Sequence, residues 1–253
     1  MICTRETITK FYGNDLEDID FIELPGQKIT IFSVHENAFN GMINLEEINL
    51  ENNSLSEIRE NSFIGLSSLK KLCLKGNKLN MIPFKVFRGL RNLKEINLSS
   101  NLICDLDERH FNGLVNLTHL QLGNNRISTV KSGLFKDLVS LQELNLANNS
   151  IRILKNGLFR GLNKLATIYL YNNQLIEIDS NVLDGLTELT LIHLNNNNLK
   201  FVHGKAFKHC QKIEKIYLNN NNLVSLDSCT FQNIQTLRII HLGFKSFIFY
   251  FFD

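Results

Sequence analysis

The side chains of this sequence best suited to molecular recognition are four polar aromatic residues that recur every 24 residues, Tyr169, His193, Tyr217 and His241. Tyr171 follows closely after the first of them. Tyrosine combines a large ring with a hydroxyl group and is enriched among the residues that dominate binding at protein interfaces. We therefore predict that these five residues bind a partner. A purely structural role is the alternative, because polar aromatic residues also fit half-exposed strand positions.

The same residues do not indicate metal binding or catalysis. Two strand spacings are expected to separate His193 from His241, about 10 Å, which is too far for both to bind one metal ion. The sequence contains no GxSxG, no glycine-rich phosphate loop, no HExxH and no kinase signature. We predict a non-enzymatic chain without cofactor or metal. The sequence leaves open an enzyme whose catalytic domain lies outside these residues.

A repeat must position the aromatic residues, and residues 141–164, LQELNLANNSIRILKNGLFRGLNK, are one clear copy of it. Apolar residues occupy places 1, 4, 6, 11, 14, 19 and 22 of this 24-residue template. Copies start at Phe21, Leu45, Leu69, Leu93, Leu117, Leu141, Leu165, Leu189 and Ile213, and a broken copy starts at Leu237. A fixed period of this size predicts a repeat array rather than an ordinary globular domain.

Each copy has two halves with different patterns. The first half, LxxLxL, alternates with period two and predicts a strand with places 4 and 6 inward and places 3, 5 and 7 outward. The four repeating aromatic residues all fall at the outward place 5. Asparagine then recurs at place 9, where its side chain can satisfy backbone groups of the neighbouring copy: Asn53, Asn77, Asn101, Asn125, Asn149, Asn173, Asn197 and Asn221. The second half carries phenylalanine at place 19, except at Leu183, and predicts an aromatic spine under the convex side.

The ends of the array depart from the template. We interpret residues 1–20 as a degenerate partial repeat, with Ile2 at place 6 and Phe11 at place 14. Residues 21–242 form the predicted solenoid, nine full repeats and the start of a tenth. Residues 243–253 are an aromatic tail without the repeat pattern. Such a tail favours a truncated or mis-spliced product, with a hydrophobic docking tail as the alternative, so we interpret the chain as a fragment.

The template LxxLxLxxNxLxxLxxxxFxxLxx resembles the typical 24-residue class of the leucine-rich repeat family over about residues 21–242. The resemblance implies an α/β repeat fold. This is a curved solenoid with a parallel β-sheet on the concave face and loops or short 3-10 or helical turns on the convex face. Similar arrays occur in Toll-type receptors, Slit-type guidance proteins and the acid-labile subunit. The resemblance therefore implies a protein-binding module, the ligand-recognition part of an extracellular or cell-surface protein.

Other features favour an intracellular scaffold or regulatory subunit as the alternative. The N-terminus lacks the apolar core of a signal peptide, and no run is long enough to span a membrane. The five cysteines show no paired spacing for a disulfide framework or zinc site; Cys210 is expected in the core and Cys73 on the outward side of a strand. A net charge of +2 points to neither nucleic acid nor membrane.

Two further surface features carry weaker predictions. Cations recur at place 20 on the convex edge and suggest a sulfated polysaccharide as a possible second ligand: Arg88, Lys136, Arg160 and Lys208. Four N-x-S/T sequons are possible glycosylation sites in a secreted chain: Asn52, Asn97, Asn116 and Asn148. An acidic strand that contains Glu47 precedes a basic strand that contains Lys71, and we expect ion pairs between them.

Overall fold

The computed structural model describes residues 1–12, 16–24, 31–232 and 234–243. Within these ranges the chain is built of short parallel strands joined by turns, with one α-helix, α1 (Arg5–Tyr12), and one 3-10 turn, Leu16–Asp18. In chain order the strands are β1 (Ile2–Cys3), β2 (Phe21–Glu23), β3 (Ser33–Val34), β4 (Glu47–Asn49), β5 (Glu57–Ile58), β6 (Lys71–Cys73), β7 (Glu95–Asn97), β8 (His119–Gln121), β9 (Glu143–Asn145), β10 (Thr167–Tyr169), β11 (Glu177–Ile178), β12 (Leu191–His193), β13 (Phe201–Val202), β14 (Lys215–Tyr217) and β15 (Ile239–His241).

One ten-stranded sheet forms the concave face of a curved solenoid, in the order β15-β14-β12-β10-β9-β8-β7-β6-β4-β2. All its pairings are parallel, and from β4 to β15 each residue lies opposite the one 24 positions away, as Tyr169 does opposite His193. Two small sheets, β1-β3-β5 and β11-β13, are separate from the concave sheet, and β3, β5, β11 and β13 belong to the second halves of their copies. The solenoid, its parallel sheet and its largely irregular convex side confirm the predicted fold class.

The asparagine ladder, the eight asparagines from Asn53 to Asn221, closes the turn after each strand. Each copy of the repeat forms one coil of the solenoid. In the coil that begins at Leu141, Asn149 Nδ2 donates to Leu146 O at 3.1 Å and to Leu122 O of the preceding coil at 3.0 Å. Its Oδ1 accepts from the backbone N–H of Ile127, also in the preceding coil, at 3.0 Å. Each ladder residue thus satisfies buried backbone groups in two coils, as the sequence predicts.

The residue before each ladder asparagine adopts a left-handed backbone, for example φ +54° at Asn148. Asparagine tolerates this region better than most residues, which accounts for the repeated Asn-Asn pair. Gly76 holds the same place one coil after Asn52, with φ +68°. A Cβ at Gly76 would stand 2.1 Å from Asn52 Oδ1, so a side chain there would force the turn to shift.

Phenylalanines fill the core beneath the convex turns. Phe87, Phe111 and Phe135 stack in succession, with ring centroids 6.0 Å and 6.5 Å apart. All three are at most 1% exposed. Leu183 takes the same place, fully buried, in the one coil that lacks phenylalanine. The predicted spine is therefore present, and Leu183 interrupts it.

The register predicted for residues 1–20 is wrong. The predicted register sets Phe11 opposite Val34, which holds place 14 of the following coil. In the structure Cys3 pairs with Val34 instead. Cys3 is fully buried, whereas Ile2 is 52% exposed and Phe11 46% exposed. A short stretch offers too few apolar residues to fix a register, and a slip exchanges inward and outward side chains.

The register predicted for the strand that follows Phe21 is also wrong, by two residues. Ile22 lies opposite Ile48, so Ile22 and Leu24 take the inward places expected for Leu24 and Gly26. A shift by an even number keeps the alternation intact, so the pattern alone could not reveal it. The boundaries at 1–20, 21–242 and 243–253 stay predictions, and residues 244–253 of the tail lie outside the described residues.

Candidate functional site

The aromatic stripe, defined as Tyr169, Tyr171, His193, Tyr217 and His241, lies on the concave sheet towards its β15 edge. The sheet places β10, β12, β14 and β15 side by side. Their register sets Tyr169 opposite His193, His193 opposite Tyr217, and Tyr217 opposite His241. The 24-residue spacing therefore brings the four rings into one continuous row, as predicted.

The rings of this row are in contact with each other. The His193 and Tyr217 centroids lie 4.1 Å apart with planes 2° from parallel, and those of Tyr169 and His193 lie 5.3 Å apart at 26°. Tyr171 meets the edge of Tyr169 at 6.4 Å. The His193 ring is thus enclosed between tyrosines from both neighbouring strands. Such contacts fix the rings before any partner arrives, which lowers the entropy cost of binding.

Stacking decides which chemistry the stripe offers. Stacking covers both faces of His193 and one face each of Tyr169 and Tyr217, so the edges and polar atoms of these three rings remain for a partner. Within the described residues, no hydrogen bond engages the hydroxyl group of Tyr169, Tyr171 or Tyr217. A tyrosine hydroxyl normally finds a hydrogen-bond partner when it becomes buried. The stripe can therefore give a partner both apolar contact and three hydrogen-bonding groups.

The surroundings of the His193 imidazole favour its neutral form. Burial between the tyrosines lowers the pKa of His193, and the hydrogen bond to Asn195 opposes this only in part. His193 Nδ1 lies 3.3 Å from Asn195 Oδ1 and donates to it in the neutral form, which leaves Nε2 as an acceptor. Burial also raises the pKa of Tyr169, with smaller contributions from Glu143 and Tyr171, so its phenol keeps its proton.

His241 is the outermost member of the stripe. It is exposed, and its ring lies 4.9 Å from that of Tyr217 at a tilt of 55°. Tyr217 stands between His241 and His193, so the two imidazoles are not neighbours. Among the described residues, no group of three or more His, Cys, Asp or Glu side chains could hold a metal ion.

Ion pairs link the charged strands at the other end of the concave face. Lys75 Nζ lies 2.8 Å from Glu51 Oε1, and Lys71 Nζ lies 3.8 Å from Glu95 Oε1. Lys75–Glu51 is an expected pair between the acidic and the basic strand, whereas Lys71 pairs with Glu95 on β7, the strand on its other side. Both pairs account for this charge pattern without a ligand. Cys73 on the same face is a half-buried free thiol, and burial raises its pKa. Cys210 is a fully buried free thiol in the core, as expected.

The convex cations do not form a continuous row. Asn112 separates Arg88 from Lys136 in the repeat order. Lys208 Nζ lies 3.4 Å from Asp184 Oδ1, the acidic residue that holds this place in the preceding coil. At place 20 only Lys136 and Arg160 are cations in adjacent copies. The recurrence of cations at this place therefore gives weaker support for a polysaccharide site on the convex edge than the sequence alone suggests.

The four sequons differ in accessibility. Asn52 and Asn116 are exposed, whereas Asn97 and Asn148 are half-buried. Asn97 Oδ1 accepts from the backbone N–H of Ser99 at 3.0 Å, and Asn148 Oδ1 accepts from Asn172 Nδ2 at 2.6 Å. Asn52 and Asn116 are therefore the more accessible sequons, and Asn116 Nδ2, the atom to which an N-glycan attaches, donates to Arg91 O at 2.9 Å.

The leucine rich repeat family model matches the chain five times, at residues 28–79, 67–127, 115–175, 146–199 and 187–245. Among curated proteins, none matches the chain. No described helix is long and apolar enough to cross a membrane.

Solved structures of related proteins match most of the chain. A TLR13–ssRNA13 complex is 30% identical with a TM-score of 0.82, over 88% of this chain and 32% of that one. FLRT2 (LRR), in an octameric complex with latrophilin 3 and Unc5D, is 23% identical with a TM-score of 0.77, over 88% of this chain and 69% of that one. A leucine-rich repeat protein of Leptospira interrogans is 26% identical with a TM-score of 0.74, over 85% of this chain and 54% of that one. The chain thus spans about a third of the first of these and just over half of the last.

Proposed function

This chain belongs to the leucine-rich repeat family, and on that premise we propose that it recognises a protein ligand through the aromatic stripe on its concave face. The family consists generally of binding modules without catalytic activity, and we assign this chain no reaction. FLRT2, a related array, was solved in complex with protein partners, which supports protein as the ligand class.

The observation that carries the proposal is the stacked row itself. Four adjacent strands present ring after ring in contact, with centroids 4.1 to 5.3 Å apart. Tyrosine-rich clusters that are rigid before binding are typical of binding hot spots. The corresponding places on β4, β6, β7 and β9 hold Asn49, Cys73, Asn97 and Asn145, so the aromatic residues at this place of the repeat lie together at the β15 end of the sheet.

RNA is the other ligand class among the relatives, since TLR13 was solved with single-stranded RNA. Base stacking requires open aromatic faces. The faces of His193 are covered by Tyr169 and Tyr217, which favours a protein ligand here. The binding measurements below therefore include a single-stranded RNA oligonucleotide as a competing ligand.

Alanine substitution of the stripe should abolish tight binding. The whole chain is presented to an array of purified extracellular and intracellular proteins, and binding partners are re-measured with the variants Tyr169→Ala, Tyr171→Ala, His193→Ala and Tyr217→Ala. We expect Tyr217→Ala to lower the affinity for a true partner by about thirtyfold or more, as for a typical hot-spot residue. The measurement is the Kd of each variant by surface plasmon resonance.

Phe201→Ala is the matched control, because Phe201 is an aromatic residue 51% exposed on β13, outside the concave sheet. It should leave the Kd unchanged. A partner whose affinity is unchanged in all four stripe variants contradicts the proposal. Binding of the RNA oligonucleotide in a stripe-dependent manner would replace protein by RNA as the ligand.

We further propose that the chain acts outside the cell or on its surface, and the alternative is an intracellular scaffold or regulatory subunit. The resemblance to extracellular arrays and the exposed sequons at Asn52 and Asn116 support the first location.

Glycosidase treatment of the native protein from its own cells tests this location. Because N-glycans are added only to chains that enter the secretory pathway, we expect an electrophoretic shift on deglycosylation, and Asn52→Gln should reduce it. A native protein without a shift that fractionates with the cytosol contradicts the extracellular location and supports the intracellular alternative.

A further inference from the structure

A second surface of the solenoid is independent of the aromatic stripe. The lateral groove runs along the side of the array where the strands begin, with a volume of about 540 Å³. It is lined by residues that shortly precede strands β6 to β10: Lys70, Asn92, Lys94, Asn116, Thr118, Ser140, Gln142 and Lys164. It shares no residue with the stripe.

Three lysines give the groove a positive charge, and no carboxylate lines it. Lys70 bonds to Glu46 outside the groove. Lys94 and Lys164 are exposed, and neither forms an ion pair with any described residue. The ammonium groups of these two lysines are therefore available to an anionic ligand.

Further along the same side of the solenoid, carboxylates pair with the cations. Lys212 Nζ lies 2.6 Å from Glu188 Oε1, and Arg238 Nη1 lies 3.9 Å from Glu214 Oε2. Each of these pairs joins equivalent places of adjacent coils. At the equivalent places, Lys94 lies between Lys70 and Thr118. Lys164 lies between Ser140 and Glu188, and the carboxylate of Glu188 pairs with Lys212 on its other side.

The lining favours a particular kind of anion. No aromatic side chain lines the groove, so it offers no stacking platform for nucleobases, which single-stranded nucleic acids usually require. Ser140 and Gln142 form no side-chain hydrogen bond within the described residues, so both can bond to hydroxyl groups. Lys94 precedes β7 and Lys164 precedes β10, two strands about three spacings apart, roughly 14 Å. This separation suits an extended ligand with several anionic groups.

We propose that the lateral groove binds a sulfated polysaccharide. Lys94 and Lys164 bind its sulfate groups, and Ser140 and Gln142 form hydrogen bonds to its sugar hydroxyls. The groove, rather than the convex column, is then the polyanion site of this chain. Asn116 lies inside the groove, so a glycan on this residue and a polysaccharide in the groove exclude each other.

Calorimetry with a heparin-derived octasaccharide tests the proposal on the whole unglycosylated chain. We expect the sulfated octasaccharide to bind and its desulfated form not to bind. The double variant Lys94→Ala/Lys164→Ala should lose about tenfold in affinity, the effect of removing two exposed charge pairs. The variant Lys136→Ala/Arg160→Ala removes the same charge from the convex edge and should keep the affinity of the original chain.

Circular dichroism of both double variants must first match the original chain, which is expected because all four side chains are exposed. Absence of binding by the original chain would overturn the proposal. So would an equal loss in both double variants, which means a response to net charge alone. Tighter, Lys94-dependent binding of a single-stranded oligonucleotide would also overturn it.

Discussion

Replacing Asn149 by alanine should lower the free energy of unfolding by about 3–5 kcal/mol. The carbonyls of Leu122 and Leu146 each accept from a second ladder residue, Asn125 at 3.0 Å and Asn173 at 2.9 Å, so they keep one partner. Among the residues that the structure describes, the backbone N–H of Ile127 bonds only to Asn149 Oδ1. The loss therefore combines one orphaned buried donor, about 1–3 kcal/mol, with two lost hydrogen bonds of about 1 kcal/mol each.

Urea unfolding followed by circular dichroism measures this loss. We expect a lower midpoint, or a transition that splits in two if the coils on either side of Asn149 uncouple. Asn163→Ala is the control in the same coil, because Asn163 is exposed and should change the free energy by less than about 0.5 kcal/mol. Unfolding curves that coincide for the original chain and Asn149→Ala would contradict the structural role of the ladder.

The ladder also shows why most of the fold could be predicted from the sequence. Stacked coils repeat one environment, so an amide needed once is needed in every coil, and the same residue recurs at a fixed spacing. The position of Asn149, and the inward side chains such as Leu144 and Leu146, follow from this repetition. Both leucines are fully buried.

Prediction failed where repetition ends. Residues 1–12 and 16–24 contain a helix, a 3-10 turn and two edge strands, and no other described coil contains such a helix or 3-10 turn. Their placement is set by tertiary contacts such as the hydrogen bond from Phe32 N to Met1 O at 2.8 Å. Burial of Cys3 instead of Ile2 follows from such contacts, and no column of equivalent residues records it.

The candidate sites were predictable only in part. Alternation and period place Tyr169, His193 and Tyr217 in one row, but the spacing cannot give the 2° angle between the rings of His193 and Tyr217, because side-chain rotamers decide it. The lateral groove was missed because the lysines that form it belong to two different columns. Lys94 holds place 2 of its copy and Lys164 holds place 24, and their common groove is evident only in three dimensions.

The spine gives the other prediction with a large effect. Phe111→Ala should lower the free energy of unfolding by about 3–5 kcal/mol, because truncation leaves a cavity in a close-packed core. Phe111 is 1% exposed, and its ring lies 6.0 Å from that of Phe87 and 6.5 Å from that of Phe135. Neither neighbour can move into the space without leaving its own coil.

Phe111→Leu separates the loss of volume from the loss of aromatic contact. Leu183 occupies the same place fully buried, so a coil of this array accommodates leucine there, and we expect a loss of only about 1–1.5 kcal/mol. Urea unfolding of the two variants gives both values. Because each coil contacts only its neighbours, binding through Tyr217, several coils away, should persist in both variants below their unfolding transitions. Equal losses for alanine and leucine would mean that the cavity contributes nothing and that the stability of the spine resides in its aromatic contacts alone.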